Sequence, residues 1–317
     1  MAKLTLLQMV QAACSQMGLG QPISVSGSSD STARQMLALA NWEGRDNARA
    51  ENGFGGWQEL RRQNLFQIQS TGLISGCSFT QGSNVITIGT PPTQAPQVGW
   101  VVSTSGGSNA SGFVYPTYIT AVVGNQVTVS TSALLSSSNV SIAFGQEAYS
   151  LPPDFDFALP STFWDRGFRW QLFGPLTAQE WQVLKSGLSP TGPRRRYRFM
   201  QNQFYVDPIP ADSNWIVYEY LSTQWAIGAD STGKDYFTAD TDTYALDDDL
   251  MILGLKWRWR RAKGLDYTQE KDDYDGWRDR ALSRNSGNGA LRLDLALPSV
   301  ALLGTQQIPD TGFGATR

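Results

Sequence analysis

The residues best suited to do chemistry fall in three short charged runs. The first holds five aspartates: Asp240, Asp242, Asp247, Asp248 and Asp249. Clustered carboxylates suit a hard divalent cation, which prefers oxygen ligands. The spacing lacks the glycine and closing glutamate of a calcium-binding loop. Aspartates also enrich the first turn of a helix, where they face the positive end of its dipole. We adopt that second reading and assign no metal ligand. The next run is Lys256-Trp257-Arg258-Trp259-Arg260-Arg261. Basic residues interleaved with aromatics can hold phosphates and stack bases. On a helix, however, Trp257 and Trp259 lie about 200° apart and cannot form one stacking face. Trp257 aligns instead with Leu253 and Arg261. The third run, Arg194-Arg195-Arg196 with Arg198, opens a hairpin. The expectation is that Arg194, Arg195, Arg196, Lys256, Arg258, Arg260 and Arg261 form a subunit interface or face DNA. The arginines near 258 would pair with the preceding aspartates, in the same or a neighbouring subunit.

Other chemistries find less support. The 317-residue chain has no histidine, which excludes His-based nucleophile systems and His-ligated metals within one chain. Two cysteines, Cys14 and Cys77, are too few for a Cys-rich metal site. Cys14 sits on the apolar face of a predicted helix and reads as a buried thiol, although a single Cys14–Cys77 bridge stays open. Neither a phosphate-binding loop nor a dinucleotide fingerprint is present. Asp165, Glu180 and Glu219 are free candidates for a glycosidase carboxylate pair, but nothing singles them out among 28 acids. The expectation is a protein that is not an enzyme and uses no cofactor.

The elements that would position these runs fall into regions of different composition. Apolar residues make up 41% of the chain, enough for a sizeable core. Charged residues make up only 17%, below the roughly 25% of an average soluble chain. The net charge of −3 argues against a dedicated nucleic-acid binder. Met1-Ala2-Lys3-Leu4 begins neither a long apolar run nor a cleavable leader. No signal peptide and no membrane insertion are expected.

Residues 1–66 read as the first part of a helical core. Leu4, Leu7, Val10, Cys14 and Met17 recur at helical spacing, with Thr5 and Gln8 as a capping box. Asp30 or Ser31 caps a second helix, and a shorter third helix holds Trp57, Leu60 and Arg61. Residues 67–146 carry no Lys, Arg, Asp or Glu. Their short alternating runs predict an inserted antiparallel β-sandwich or barrel. Trp100, Tyr115 and Tyr118 read as core aromatics, with a sugar-stacking face as the other reading. Residues 147–284 return to a helical and hairpin core. It has a capped helix at Thr177 and Glu180, a hairpin turning at Gln201-Asn202, and a strand from Trp215 to Leu221. A helical segment from Ala245 to Ala281 breaks near Gly264. Residues 285–317 read as an extended tail. Leu291, Leu293, Leu295, Leu297 and Pro298 suit strand-like docking on a partner. The fold class is therefore α+β.

Several blocks resemble the head-to-tail adaptor family of short-tailed bacteriophages, also described as tail accessory or packaged-DNA-stabilising proteins. Tyr149-Ser150-Leu151-Pro152-Pro153-Asp154-Phe155 is similar to the family's Y-x-L-P-x-D-F block. Gly174-Pro175-Leu176 with Glu180-Trp181 and Lys185-Ser186-Gly187 resembles the next, and Gly192-Pro193-Arg194 follows. Phe237-Thr238-Ala239-Asp240-Thr241-Asp242, then Leu255-Lys256-Trp257-Arg258 and Ala262-Lys263-Gly264-Leu265-Asp266-Tyr267, resemble the family most strongly. Ala38-Leu39-Ala40-Asn41 and Trp57-Gln58-Glu59-Leu60 also fit. The resemblance covers roughly Leu4–Gln69 and Glu147–Leu282.

It implies a structural virion protein, assembled in the host cytoplasm, that forms a ring of about twelve copies of itself. The ring would join the portal protein to the tail nozzle or other tail proteins. It would surround double-stranded DNA without sequence-specific contacts and serve its retention and ejection. The C-terminal tail would reach the portal. Smaller family members lack a module like 67–146, so its role is not implied. Two other readings compete: a tail-associated carbohydrate-binding protein acting through that module, and a cell-wall hydrolase acting through carboxylates.

Overall fold

The computed structural model describes residues 3–49, 56–104, 112–114, 116–185, 195–207 and 213–285. The five helices among them are α1 (Leu6–Gln16), α2 (Ser31–Ala48), α3 (Ala178–Lys185), α4 (Asp248–Ala262) and α5 (Thr268–Asn285). With the strands below, the chain is of mixed α+β class.

The helical unit is built around α4. Its buried residues Leu250, Met251, Ile252, Leu255 and Trp257 leave little of its surface free, as expected for a central helix. α1, α2 and α5 all pack against it. The start of α1 is held from a distance. Thr5 accepts from the Gln8 N–H, and the Gln8 side chain returns the bond. The N–H groups of Leu6 and Leu7, which no helical carbonyl can satisfy, donate to Asp242 O at 2.7 Å and Asp240 O at 3.3 Å. Asp30 caps α2 through the Ala33 N–H.

The expected third helix is reduced to one 3₁₀ turn, Gln58–Leu60. Arg61 starts a strand, β1 (Arg61–Gln67). The helical spacing around Trp57 lasts only one turn. A seven-residue antiparallel pairing then supplies backbone hydrogen bonds that a short isolated helix would form poorly.

The described residues between 70 and 145 form a separate six-stranded antiparallel sheet. Its strands are β2 (Ser70–Phe79), β3 (Val85–Thr87), β4 (Val101–Thr104), β5 (Ile119–Val123), β6 (Gln126–Val129) and β7 (Ser137–Gly145). Their order is β4-β7-β2-β3-β6-β5. The two edge strands meet at a bridge between Val101 and Tyr118, supported by Gly99 N–H donating to Ile119 O at 2.9 Å and Ile119 N–H to Trp100 O at 2.8 Å. Pairing the edges satisfies backbone groups that would otherwise invite another strand. Inside lie Ile74, Phe79, Ile86, Trp100, Val127, Val129, Ile142 and Phe144. Trp100 is a core residue as expected, whereas Tyr118 is 41% exposed and Tyr115 lies outside the described residues. With Trp100 buried, a sugar-stacking face cannot include it.

The remaining strands are β8 (Ala148–Ser150), β9 (Phe155–Ala158), β10 (Trp164–Asp165), β11 (Trp170–Gln171), β12 (Arg196–Met200), β13 (Gln203–Asp207), β14 (Trp215–Ser222), β15 (Ala226–Ile227), β16 (Gly233–Lys234) and β17 (Thr243–Tyr244). β14 pairs β1 on one side; β9 and β10 pair it as well, and β10 carries β11. The hairpin β12–β13 pairs with β8. It turns at Gln201 and Asn202, whose φ values of 52° and 57° match the primed turn that follows strand twist. The two sheets share an aromatic core of Phe163, Tyr197, Phe204 and Tyr218. Phe163 stacks on Tyr197 at 4.1 Å and on Tyr218 at 5.0 Å. The small sheet β16-β15-β17 delivers Tyr244 and Leu246 into the helical core.

Candidate interface surfaces and the charges behind them

The basic run on α4 is built mostly into the interior. Arg258 is only 4% exposed. Its Nε is bonded to the Glu43 carboxylate, and its Nη2 donates to Asp46 Oδ2 at 2.8 Å. The guanidinium lies between the Trp42 ring at 4.7 Å and the Trp257 ring at 4.6 Å. The partners are therefore carboxylates of α2, not the preceding aspartates. Glu43 is fully buried and also accepts from Asn47 Nδ2 at 2.6 Å. Asn47 in turn accepts from the Tyr274 hydroxyl at 2.9 Å, tying α5 into the same network. Burial pushes the Glu43 carboxyl above its ordinary range, and the Arg258 charge works against that. Gly254 is required at the crossing, because a Cβ there would meet the Glu43 carboxyl group. Arg260 pairs with Glu270 at 2.9 Å. Arg261 is exposed and Lys256 half-buried.

The second basic patch divides in the same way. Arg195 is buried and pairs with Asp165 at 2.6 Å, its charge 5.3 Å from the Phe168 ring. Arg196 and Arg198 are half-buried on β12. Arg194 lies outside the described residues, as do Leu291, Leu293, Leu295, Leu297 and Pro298. Arg195 and Arg258 are thus removed from the set able to meet DNA or a partner directly. Their charge and spacing are those of surface arginines; only the carboxylates brought to them mark them as interior.

Four of the five aspartates are structural acceptors, and Asp249 is an exposed residue of a helix's first turn. Asp240 accepts from the Val25 and Ser26 N–H groups and the Ser24 hydroxyl. Asp242, fully buried, accepts from the Thr238 and Ala239 N–H groups at 2.8 and 2.9 Å and pairs with Lys234 at 2.8 Å. Burial raises its pKa, but Lys234 and these donors outweigh that and hold the carboxyl below its usual range. Asp247 caps α4, and Asp248 and Asp249 occupy its first turn. Asp248 also accepts from Leu4 N–H at 2.9 Å. These contacts join the N-terminal segment to residues 237–249.

Sequence reasoning missed a buried triad where the six-stranded sheet rejoins the body. Lys185, at the end of α3, lies 2.6 Å from Glu147 and 2.5 Å from Asp207. All three side chains are almost entirely buried. No spacing in the sequence links these residues, because α3, β13 and the link between β7 and β8 contribute one each.

Compared with known protein families, residues 109–298 match SU10 adaptor protein. The chain belongs to the SU10 adaptor family. It is a phage structural adaptor protein, and its family places it in the virion among head and tail proteins. A search of curated proteins found no match. The matched stretch of the adaptor takes in the second half of the six-stranded sheet and all later helices. It does not reach α1 and α2. No described helix is long and apolar enough to cross a membrane.

The adaptor's exposed features are the surfaces left for partners. A groove of about 650 Å³ runs between the N-terminal segment, the start of α4 and the second half of α5, lined by Lys3, Trp57, Asp248, Trp277 and Arg284. Asn285, the last described residue, also lines it. Phe173 is exposed before α3 and Val183 on it, and Trp42 is 54% exposed on α2.

Proposed function

We propose that this adaptor forms a ring joining the portal of the phage head to the short tail, and that it helps to retain and channel the packaged DNA. The family match across residues 109–298 carries this reading. Its role is mechanical rather than catalytic. The conspicuous charged groups support that view: Arg195, Arg258 and four of the five aspartates, Asp240, Asp242, Asp247 and Asp248, hold the fold together. Among the described basic candidates, Arg196, Lys256, Arg260 and Arg261 are those left wholly or partly at the surface for subunits or DNA. The segment after Asn285, with its alternating leucines, docks on the portal. The charge-free module at 67–146 is an addition to the adaptor core and projects toward a head or tail component.

Electron microscopy of virions tests the placement: labelled chain should lie in a ring between portal and tail. Label anywhere else would overturn it. Chain ending at Asn285 should fold normally yet fail to join heads to tails. Normal yields of infectious particles from that truncation would remove the tail-docking role.

A further inference from the structure

Two helices flanking α4 each leave one ridge bare, and the ridges are complementary. On α2, Arg34, Ala38, Trp42, Arg45 and Arg49 are all exposed at the three- and four-residue spacing that puts them on one line. No ion pair among the described residues involves the three arginines. Trp42 is held in place from beneath by the Arg258 guanidinium, so its outward edge is a fixed knob. On α5, Asp272, Gly276 and Asp279 form the matching exposed line, with exposed Asp273 about 100° round the helix from Asp272 at its margin. These aspartates have no ion pair among the described residues; Asp273 accepts only from Gln269, at 3.3 Å. Nothing lies within 4 Å of where a Gly276 Cβ would stand, which leaves a notch one turn from the aspartates.

We infer that the α2 ridge of one copy seats on the α5 ridge of a second copy, with Trp42 over Gly276 and Arg45 and Arg49 against Asp272 and Asp273. This rests on the ring reading and assigns the contact within it. The spacing agrees when the helices run antiparallel. At about 1.5 Å per residue, Arg45 lies about 4.5 Å from Trp42 along its helix. Asp273 lies the same distance from Gly276, whereas Arg49 lies about 10.5 Å from Trp42 and Asp272 about 6 Å from Gly276, a gap the long Arg49 side chain must reach across. Ala38 and Gly276 are small enough for the helix axes to approach within about 8–10 Å. The central aromatic flanked by arginines has the composition of an interface anchor. No ion pair joins the two ridges within one chain, so each is available to a neighbour. Because the two surfaces differ, the contact is head-to-tail, the kind that generates rings. DNA is the poorer occupant for this pair, because the α5 aspartates would repel phosphates.

Charge reversal tests the pairing on the full chain. R45E/R49E and D272R/D273R change exposed residues, and circular dichroism should confirm that both variants fold. By sedimentation velocity each alone should self-associate about tenfold or more weakly than wild type, since like charges then face each other. Mixed one to one, the variants should recover assembly, because each supplies the ridge the other needs. Gly276→Leu should block assembly without any charge change. Wild type that associates while the reversals and Gly276→Leu leave it unaltered would overturn the pairing alone. Loss that mixing does not restore would assign the ridges to a different partner and also overturn it. Wild type that stays monomeric at high concentration and with portal present would overturn the ring reading itself.

Discussion

Removing the Arg258 charge should destabilise the helical unit by an amount set by its burial. Glu43 is fully enclosed, and Arg258 is its only cationic partner among the described residues. Arg258→Met keeps much of the volume between Trp42 and Trp257 but leaves Glu43 facing no cation. Breaking a buried pair from one side costs about 3–5 kcal/mol. Asp46 is half exposed, so its share is small. With a urea slope of about 2 kcal/mol/M, the midpoint should fall by about 2 M, followed by helical circular dichroism. The pH dependence gives a second check. Glu43 titrates above its ordinary value of 4.5 in the folded state, so the fold takes up a proton that the unfolded chain has lost. Its contribution therefore falls as pH rises through the window between the two values. Without Arg258 that window widens upward. The deficit of Arg258→Met relative to wild type should be smaller at pH 5 than at pH 7. Adding Glu43→Gln should recover more than half of the loss at pH 7, because no buried charge remains. A loss under about 1 kcal/mol, an equal loss at both pH values, or no recovery in the double variant would refute the reasoning.

Other expectations follow from the same contacts. Gly44→Ala should cost about 1–3 kcal/mol in thermal or urea unfolding, because its Cβ would run into the Trp225 ring, which is 1% exposed and cannot yield. Lys185→Met should leave Glu147 and Asp207 buried without their shared cation and cost about 3–5 kcal/mol; increased proteolytic cleavage near 145–148 would report loosening where the six-stranded sheet joins the body. Cys14 and Cys77 lie in different cores, and burial pushes both thiols up. A thiol reagent at pH 8 should therefore label neither quickly in the folded protein and both in guanidinium, with no disulfide found by mass spectrometry.

Local chemistry made several elements legible. The Thr5–Gln8 and Thr177–Glu180 boxes, the Asp30 cap, the Gln201-Asn202 turn and the α4–α5 break at Gly264 all involve residues a few positions apart. Four of the six strands of the charge-free module sit on its alternating runs, and its β4 overlaps another. The ten-residue β2 was not foreseen, because Gly72 and Gly76 at positive φ interrupt the alternation and the pairing with β7 is irregular. β1 was misread as helix because its strand character comes from β14, about 150 residues away. The two-residue strands β10, β11 and β15–β17 have no sequence signature, since pairing alone defines them.

By itself, then, the sequence determined several helix caps, the hairpin turn at Gln201-Asn202, the α+β class and the resemblance to an adaptor, all encoded by neighbouring residues or contiguous motifs. Tertiary structure decided which charges serve the fold and which remain for partners. Arg258 and Arg261 are three residues apart in one basic run, yet one is enclosed beside Glu43 and the other is exposed. The difference is made by a carboxylate more than two hundred positions away, and low-dielectric burial makes that contact matter.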